Sequence, residues 1–103
     1  MVRRGDVRWT FQPDEKPRPV CVLTRDEAIP VLARLVVAPA TTTRRGIDTE
    51  VPLSLEDGMP RECVLSLDNT FTIARSLLGD RITGLSAVRM HEVCRALAVA
   101  TGC

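Results

Sequence analysis

The sequence predicts a small, mainly β (α+β) fold in which bent antiparallel strands are closed off by one C-terminal α-helix. Three observations point there. Short apolar stretches with strand periodicity recur from Val7 to Thr83, proline and turn signals separate them, and only the segment after Ser86 carries a helical stripe. A chain of 103 residues supports one core and one domain, spanning residues 1–103. With 45% hydrophobic and 26% charged residues, the composition is that of an ordinary folded chain.

Val7, Trp9 and Phe11 alternate with Arg8, Thr10 and Gln12, the period of a half-buried strand with Trp9 and Phe11 on the core side. QPDEKP interrupts that period as a proline-marked loop, and VCVLT follows as a second, more apolar strand, so the pair forms a hairpin with a long connection. Asp26, Glu27 and Pro30 mark an irregular link. Leu32 to Pro39 is apolar nearly throughout, which predicts a strand buried on both faces. After ATTTRRG, Thr49, Val51 and Leu53 alternate with polar residues; Pro52 cannot donate to a ladder, so this strand belongs at an edge. EDGMPR is a turn. CVLSLD alternates again, TFTIA continues extended after Asn69, ARSLLG is a helical turn ended by Gly79, and RIT is a last short strand. In the helix, Ser86 is the N-cap, Met90, Val93, Leu97 and Ala100 form the stripe, and Gly102 takes the C-terminal position that favours glycine. Five or more short bent strands plugged by one helix give an SH3-like barrel or a related α+β roll.

The net charge of +1 excludes a global electrostatic argument for nucleic acid, although a local site can still be basic. Lys16 is the only lysine, so the positive charge is almost all arginine. No stretch has the length of a membrane span, and MVRRGDVRW lacks the apolar stretch of a secretory signal, which points to the cytoplasm. Cys21, Cys63, Cys94 and Cys103 form no C-x-x-C pair; three lie within apolar patterns, and buried or partly buried free thiols are expected.

Metal hydrolysis finds little support, because His91 is the only histidine and the carboxylates are not spaced as a cluster. Glycine-flanked serines, a cysteine–histidine arrangement and glycine-rich phosphate loops are missing too. What remains for chemistry is arginine, threonine and a few carboxylates. One arginine is singled out by its setting. In KPRPVCVLT, Pro17 has a fixed φ and Pro19 pushes Arg18 into an extended conformation, so the backbone carrying this cation has little freedom.

RRGDVRW, RPVCVLT, APATTT, TEVPL, VLSLDNTFTI and DRITGLS, in this order and spacing, resemble the toxins of the MazF/PemK family, particularly its mycobacterial-type members. The similarity runs from about Arg3 to the end of the helix. It implies the toxin half of a toxin–antitoxin pair: a homodimeric, sequence-selective endoribonuclease on an SH3-like barrel, with no metal or other cofactor. Such enzymes turn the RNA's own 2′-hydroxyl on the adjacent phosphate and leave a 2′,3′-cyclic phosphate and a 5′-hydroxyl. The resemblance also implies a cognate, MazE-like antitoxin whose disordered C-terminal tail folds across the groove.

Carried over by the same motifs, the catalytic pair falls on Arg18 and Thr41. Arg18 would face the scissile phosphate, and Thr41 would donate its hydroxyl to the same oxygens, with Thr42 and Thr43 near enough to compete for that role. Gln12 and Lys16 lie on the loop that covers the RNA in relatives; here that loop has two prolines and no glycine, so the cover is shorter or stiffer. Asp68, Asn69 and Thr70 either read base edges or shape a strand-end turn. Thr42 joins them as a substrate contact, and Phe71 either stacks a base or packs an interface. A different reading of the same fold, a gyrase-poisoning or antitoxin-binding module without enzymatic activity, would act through the helix end, ALAVATGC, which offers no aromatic or charged anchor.

Overall fold

The computed structural model describes residues 1–103. β1 (Asp6–Thr10) pairs with β2 (Pro19–Val22), and β2 pairs with β3 (Arg34–Thr41). β4 (Glu50–Leu53) pairs with β5 (Cys63–Ser66), β6 (Phe71–Ala74) returns to β3, and β7 (Leu78–Gly84) lies beside β1. Every ladder is antiparallel. A single helix, α1 (Ala87–Thr101), ends the chain, and no helix is long and apolar enough to cross a membrane.

β3 is the spine. One edge carries β2, while the other carries β6 along Arg34–Val37 and then β5 at Ala40–Thr41. Pro39 sits inside this central strand, where a missing N–H would ordinarily be destabilising. The N–H of Leu23 donates to the carbonyl of Val36, so the even residues of β3 face β2 and the odd ones face the opposite edge. Pro39 therefore falls where that edge passes from β6 to β5, a gap in which no ladder donor is needed.

The mainly β, single-helix architecture is as expected, with seven strands rather than a minimum of five. The barrel itself is not closed. β4 and β7 stand at the two ends of the order β4-β5-β3-β2-β1-β7 and share no ladder. Side chains bridge the gap. Thr83 of β7 donates its hydroxyl to the carbonyl of Asp57 at 2.8 Å, and Arg89 of α1 donates to the Asp57 carboxylate at 2.9 Å. Asp57 ends a short 3-10 turn, Leu55–Asp57, whose capping box is formed by Ser54. Gly58, at φ +91, follows it; a Cβ there would come within 2.4 Å of the Thr83 hydroxyl, so only glycine permits this approach.

The core has two parts because β2 and β3 are covered on both faces. Val7, Cys21, Ala38, Ala40 and Leu65 pack with Met90, Val93 and Ala96 of the helix; Val20, Val22, Leu35, Val37 and Ile73 pack together on the other side. The apolar run of β3 follows from this, with Val36 exposed; Leu32, expected in this strand, is exposed as well and precedes it, since β3 begins only at Arg34 and extends to Thr41. α1 begins at Ser86, whose hydroxyl accepts from Arg89 N–H, and ends at Gly102 in the left-handed region. Its buried residues are Met90, Val93 and Ala96, while Leu97 and Ala100 pack at the margin.

Strand β1 departs from the expected burial. Val7 is fully buried, but Trp9 is half-buried and Phe11 is exposed, while Thr10 is 1% exposed. The pairing of β1 with β7 shifts register between Val7 and Arg8 and again between Arg8 and Thr10. The residues added at these shifts lie on β7, because β1 keeps an unbroken register against β2 as far as Trp9 and Pro19. Trp9 therefore stays on the Val7 side but at the open end of the sheet, and Thr10 is buried because the opposite face is covered too, which a one-sided period cannot anticipate. The helical turn expected from ARSLLG is the 3-10 turn Arg75–Leu77; Gly79 lies within β7 rather than ending it, with the Phe11 ring against it. All four cysteines are free: Cys21 and Cys63 are buried as expected, whereas Cys94 and Cys103 are exposed.

Candidate active site

Two contiguous hollows open at the end of the sheet where β2 and β3 begin to part. The larger, about 660 Å³, has walls from Trp9, Lys16, Pro17 and Pro19 on one side and Met59, Pro60, Arg61 and Cys63 on the other. The smaller, about 300 Å³, is bounded by Pro39, Thr43, Arg45, Ser66, Asn69 and Phe71. Thr42 belongs to the larger one. Arg18 and Thr41 are the two residues common to both, so they form the ridge between them.

Strand register explains why these two meet. The β2–β3 ladder pairs Val22 with Val37, Cys21 with Ala38 and Val20 with Pro39. Continued by two residues, the same register sets Arg18 opposite Thr41, in a non-hydrogen-bonded position where facing side chains approach most closely. The bent chain past β2 keeps that register because Thr10 N–H donates to the carbonyl of Arg18 at 2.9 Å. Thr41 is fixed from its own side: its Oγ1 accepts from the N–H of Thr43 at 3.1 Å, leaving the hydroxyl proton free to donate.

The arginines differ in what holds them, and Arg3, Arg25, Arg44 and Arg95 lie outside the hollows with no partner for their guanidinium groups. Arg8 and Arg81 bind the buried carboxylate of Asp6, Arg89 binds Asp57 and Glu92, Arg34 binds Thr72, and Arg75 binds the carbonyl of Ile29. These hold the fold. Arg18, Arg45 and Arg61, with Lys16, have no hydrogen bond or ion pair from their cationic groups, and all four line the hollows, whose walls contain no carboxylate. The nearby carboxylate of Glu50 is occupied with the backbone N–H groups of Arg45 and Gly46, which shapes the loop. A net charge near zero thus hides a local cluster of unneutralised cations suited to a polyanion.

Cys63 lies in the wall close to Thr41 but is a poor nucleophile. Burial above all, then the charge of Asp57, pushes its thiol above the ordinary value, with Arg44 pulling weakly the other way.

Of the residues singled out by sequence, Arg18, Thr41, Thr42, Lys16 and Asn69 are brought together. Three are not. Gln12 is half-buried on the connecting loop outside both hollows. The Asp68 carboxylate accepts from the hydroxyl of Thr49, and Thr70 ends the 3-10 turn Leu67–Asn69, so both serve the strand-end turn. Asn69 is the exception in that turn: its amide donates to Ser66 at 2.7 Å and the side chain still borders the smaller hollow. Phe71 borders it too. Sequence reasoning missed Arg45, Arg61 and Trp9. The first two stand beside the turn signals RRG and MPR, but a sequence does not distinguish a paired arginine from an unpaired one; the period of β1 points Trp9 inward, and it is on that face, but at the end of the sheet where the core gives way to the hollow.

Comparison with known proteins finds relatives over nearly the whole chain. The family described as PemK-like, MazF-like toxin of type II toxin-antitoxin system matches residues 3–101. A Mycobacterium tuberculosis protein named probable endoribonuclease MazF2 is 41% identical over 103 residues, covering 99% of this chain and 100% of the relative. Among solved structures, the Mycobacterium tuberculosis toxin MazF-mt6 superimposes with a TM-score of 0.86 at 37% identity, covering 94% of this chain and 96% of that one. A mycobacterial endoribonuclease in complex with its cognate antitoxin gives a TM-score of 0.90 at 26% identity, over 99% and 96% of the two chains. With a match that leaves only the extreme termini aside, and a fold shared at this level, the chain belongs to the PemK-like, MazF-like toxins of type II toxin–antitoxin systems.

Proposed function

We propose that this chain is an endoribonuclease that cuts single-stranded RNA without a metal and acts as the growth-inhibiting toxin of its pair. The observation that carries the reading is the ridge formed by Arg18 and Thr41 between two hollows lined with unpaired cations. An RNA phosphate on the ridge would place one nucleotide in each hollow. The 2′-oxygen of the upstream nucleotide attacks the phosphorus, its proton passes to solvent, and the P–O5′ bond breaks as the departing 5′-oxygen gains a proton. The products are a 2′,3′-cyclic phosphate and a 5′-hydroxyl. Since the substrate supplies the nucleophile, the protein needs only to hold the phosphate and stabilise the charge that grows on it.

Arg18 does this with the planar fork of a guanidinium, which offers donors and no acceptor, so it acts as an electrostatic clamp and not as a general base. Thr41 adds one neutral donor from the facing strand. Trp9 and Phe71 offer faces on which unstacked bases can stack, and Asn69 offers an amide for a base edge. The enzyme works as a homodimer in the cytoplasm, and its cognate antitoxin lays an acidic disordered tail on the same cations, which excludes RNA. Incubating the purified protein with a long RNA in EDTA and mapping the new termini tests the central claim. Discrete cuts with 5′-hydroxyl ends are expected, and intact RNA would refute it.

A further inference from the structure

We propose that Thr10 is a positioning residue for cleavage, holding the backbone of Arg18 through its side chain; the inference rests on the catalytic reading of Arg18. Arg18 lies one residue beyond the end of β2, between two prolines that have no N–H to anchor the chain on either side. Prolines restrict its dihedrals, but they do not tie it to the sheet. Thr10 does. Its N–H and its Oγ1 both donate to the carbonyl of Arg18, at 2.9 and 3.1 Å, and Oγ1 accepts from the N–H of Arg18 at 3.4 Å.

In a regular antiparallel ladder, residues at this position would exchange two main-chain bonds. Here β1 is already turning away: Thr10 pairs with Leu78, and the N–H of Phe11 donates to the carbonyl of Leu77 on the β7 side. The Thr10 hydroxyl takes the place of the carbonyl that the ladder would have offered Arg18. It is 1% exposed, so water does not readily replace it if it is removed. The side chain of Arg18, by contrast, has no partner of its own, and its aim depends on where its backbone is held. A displacement of about 1 Å in a positioned catalytic group costs on the order of 100-fold in rate.

The test compares Thr10→Val, which keeps the shape and removes the hydroxyl, with Thr10→Ser, which keeps the hydroxyl. Single-turnover cleavage is measured on an RNA oligonucleotide spanning a mapped cut, and affinity on the same oligonucleotide with a 2′-O-methyl group at that cut. Thr10→Val should bind the blocked RNA as wild type does and cleave about 10- to 100-fold more slowly, while Thr10→Ser recovers most of the rate. Backbone amide exchange supplies a readout that general destabilisation would not single out: the Arg18 N–H is protected in the wild type and becomes labile in Thr10→Val, with the Cys21 N–H unchanged. Wild-type cleavage by Thr10→Val, a serine variant as slow as the valine one, or an unprotected Arg18 amide in the wild type overturns the inference; the last needs no variant to fold. Arg18→Ala, run in parallel, separates the two levels. If it cleaves normally, the reading of Arg18 fails and the role of Thr10 falls with it; if it is inactive while Thr10→Val is normal, only the positioning role is lost.

Discussion

Replacing Arg18 by lysine keeps the charge and removes the fork, which isolates what the guanidinium contributes. In the free protein the Arg18 side chain is exposed and makes no hydrogen bond or ion pair, so the substitution breaks nothing that holds the fold. Stability should therefore change by no more than about 0.5 kcal/mol. That corresponds to about 2–4 °C in the unfolding midpoint of a domain of this size. The rate should respond quite differently. Lysine is a point charge that cannot span two phosphate oxygens, and loss of one preorganised transition-state donor costs about 100- to 1,000-fold, or roughly 2.7–4 kcal/mol. Arg18→Ala, which also removes the charge, should be slower still. Single-turnover cleavage of an oligonucleotide spanning a mapped cut, in EDTA, gives the rates, and thermal unfolding gives the midpoints. A lysine variant that cleaves as fast as wild type would refute the clamp. A large fall in the midpoint would show that Arg18 supports the fold, contrary to its unpaired state.

Thr41→Val should lower the cleavage rate constant by about 10- to 100-fold, whereas Thr42→Val should act mainly on KM; the reverse pattern would transfer the catalytic hydroxyl to Thr42. With Arg18, Lys16, Arg45 and Arg61 each meeting a phosphate, the logarithm of RNA affinity should fall against the logarithm of salt with a slope of about −3, and Arg61→Ala should make it shallower by about 0.7. A slope near zero would mean that the cations do not engage the backbone. Asp57 gives a pH test. Burial alone would raise its pKa, but the hydrogen bonds from Arg89 and Ser54 and the charge of Arg89 outweigh it and hold the carboxyl below its ordinary value. A depressed carboxylate contributes stability that is complete above its unfolded pKa of about 3.9 and is lost as pH falls through the lower folded value. Acid titration of the unfolding midpoint should show this loss below about pH 4 in the wild type. Asp57→Asn should lower the midpoint at neutral pH and flatten that part of the curve; unchanged curves would mean that the ion pair of Asp57 with Arg89 does not stabilise the junction of β4 and β7.

Local physics made several features legible in the sequence. The edge character of the strand holding Pro52, the double-sided burial of β3 from Val37 to Ala40 and both caps of α1 are all set by neighbours within a few residues, and the structure has each of them. The family motifs also placed Arg18 and Thr41 in one site before any register was known. Only the tertiary structure decided the rest. Trp9 keeps its place in the β1–β2 register but lies at the end of the sheet, on the wall of the larger hollow, and Thr10 is buried because the opposite face is covered as well; both outcomes depend on what packs around β1, which no periodicity contains. Asp68 and Thr70 were separated from Asn69, three consecutive residues with different fates, because a 3-10 turn points each side chain a different way. The distinction between arginines that lock the fold and arginines left free depends on which carboxylates and carbonyls come within hydrogen-bond reach after folding. Composition fixes how many cations the chain carries, but their availability to a phosphate is a property of long-range contacts.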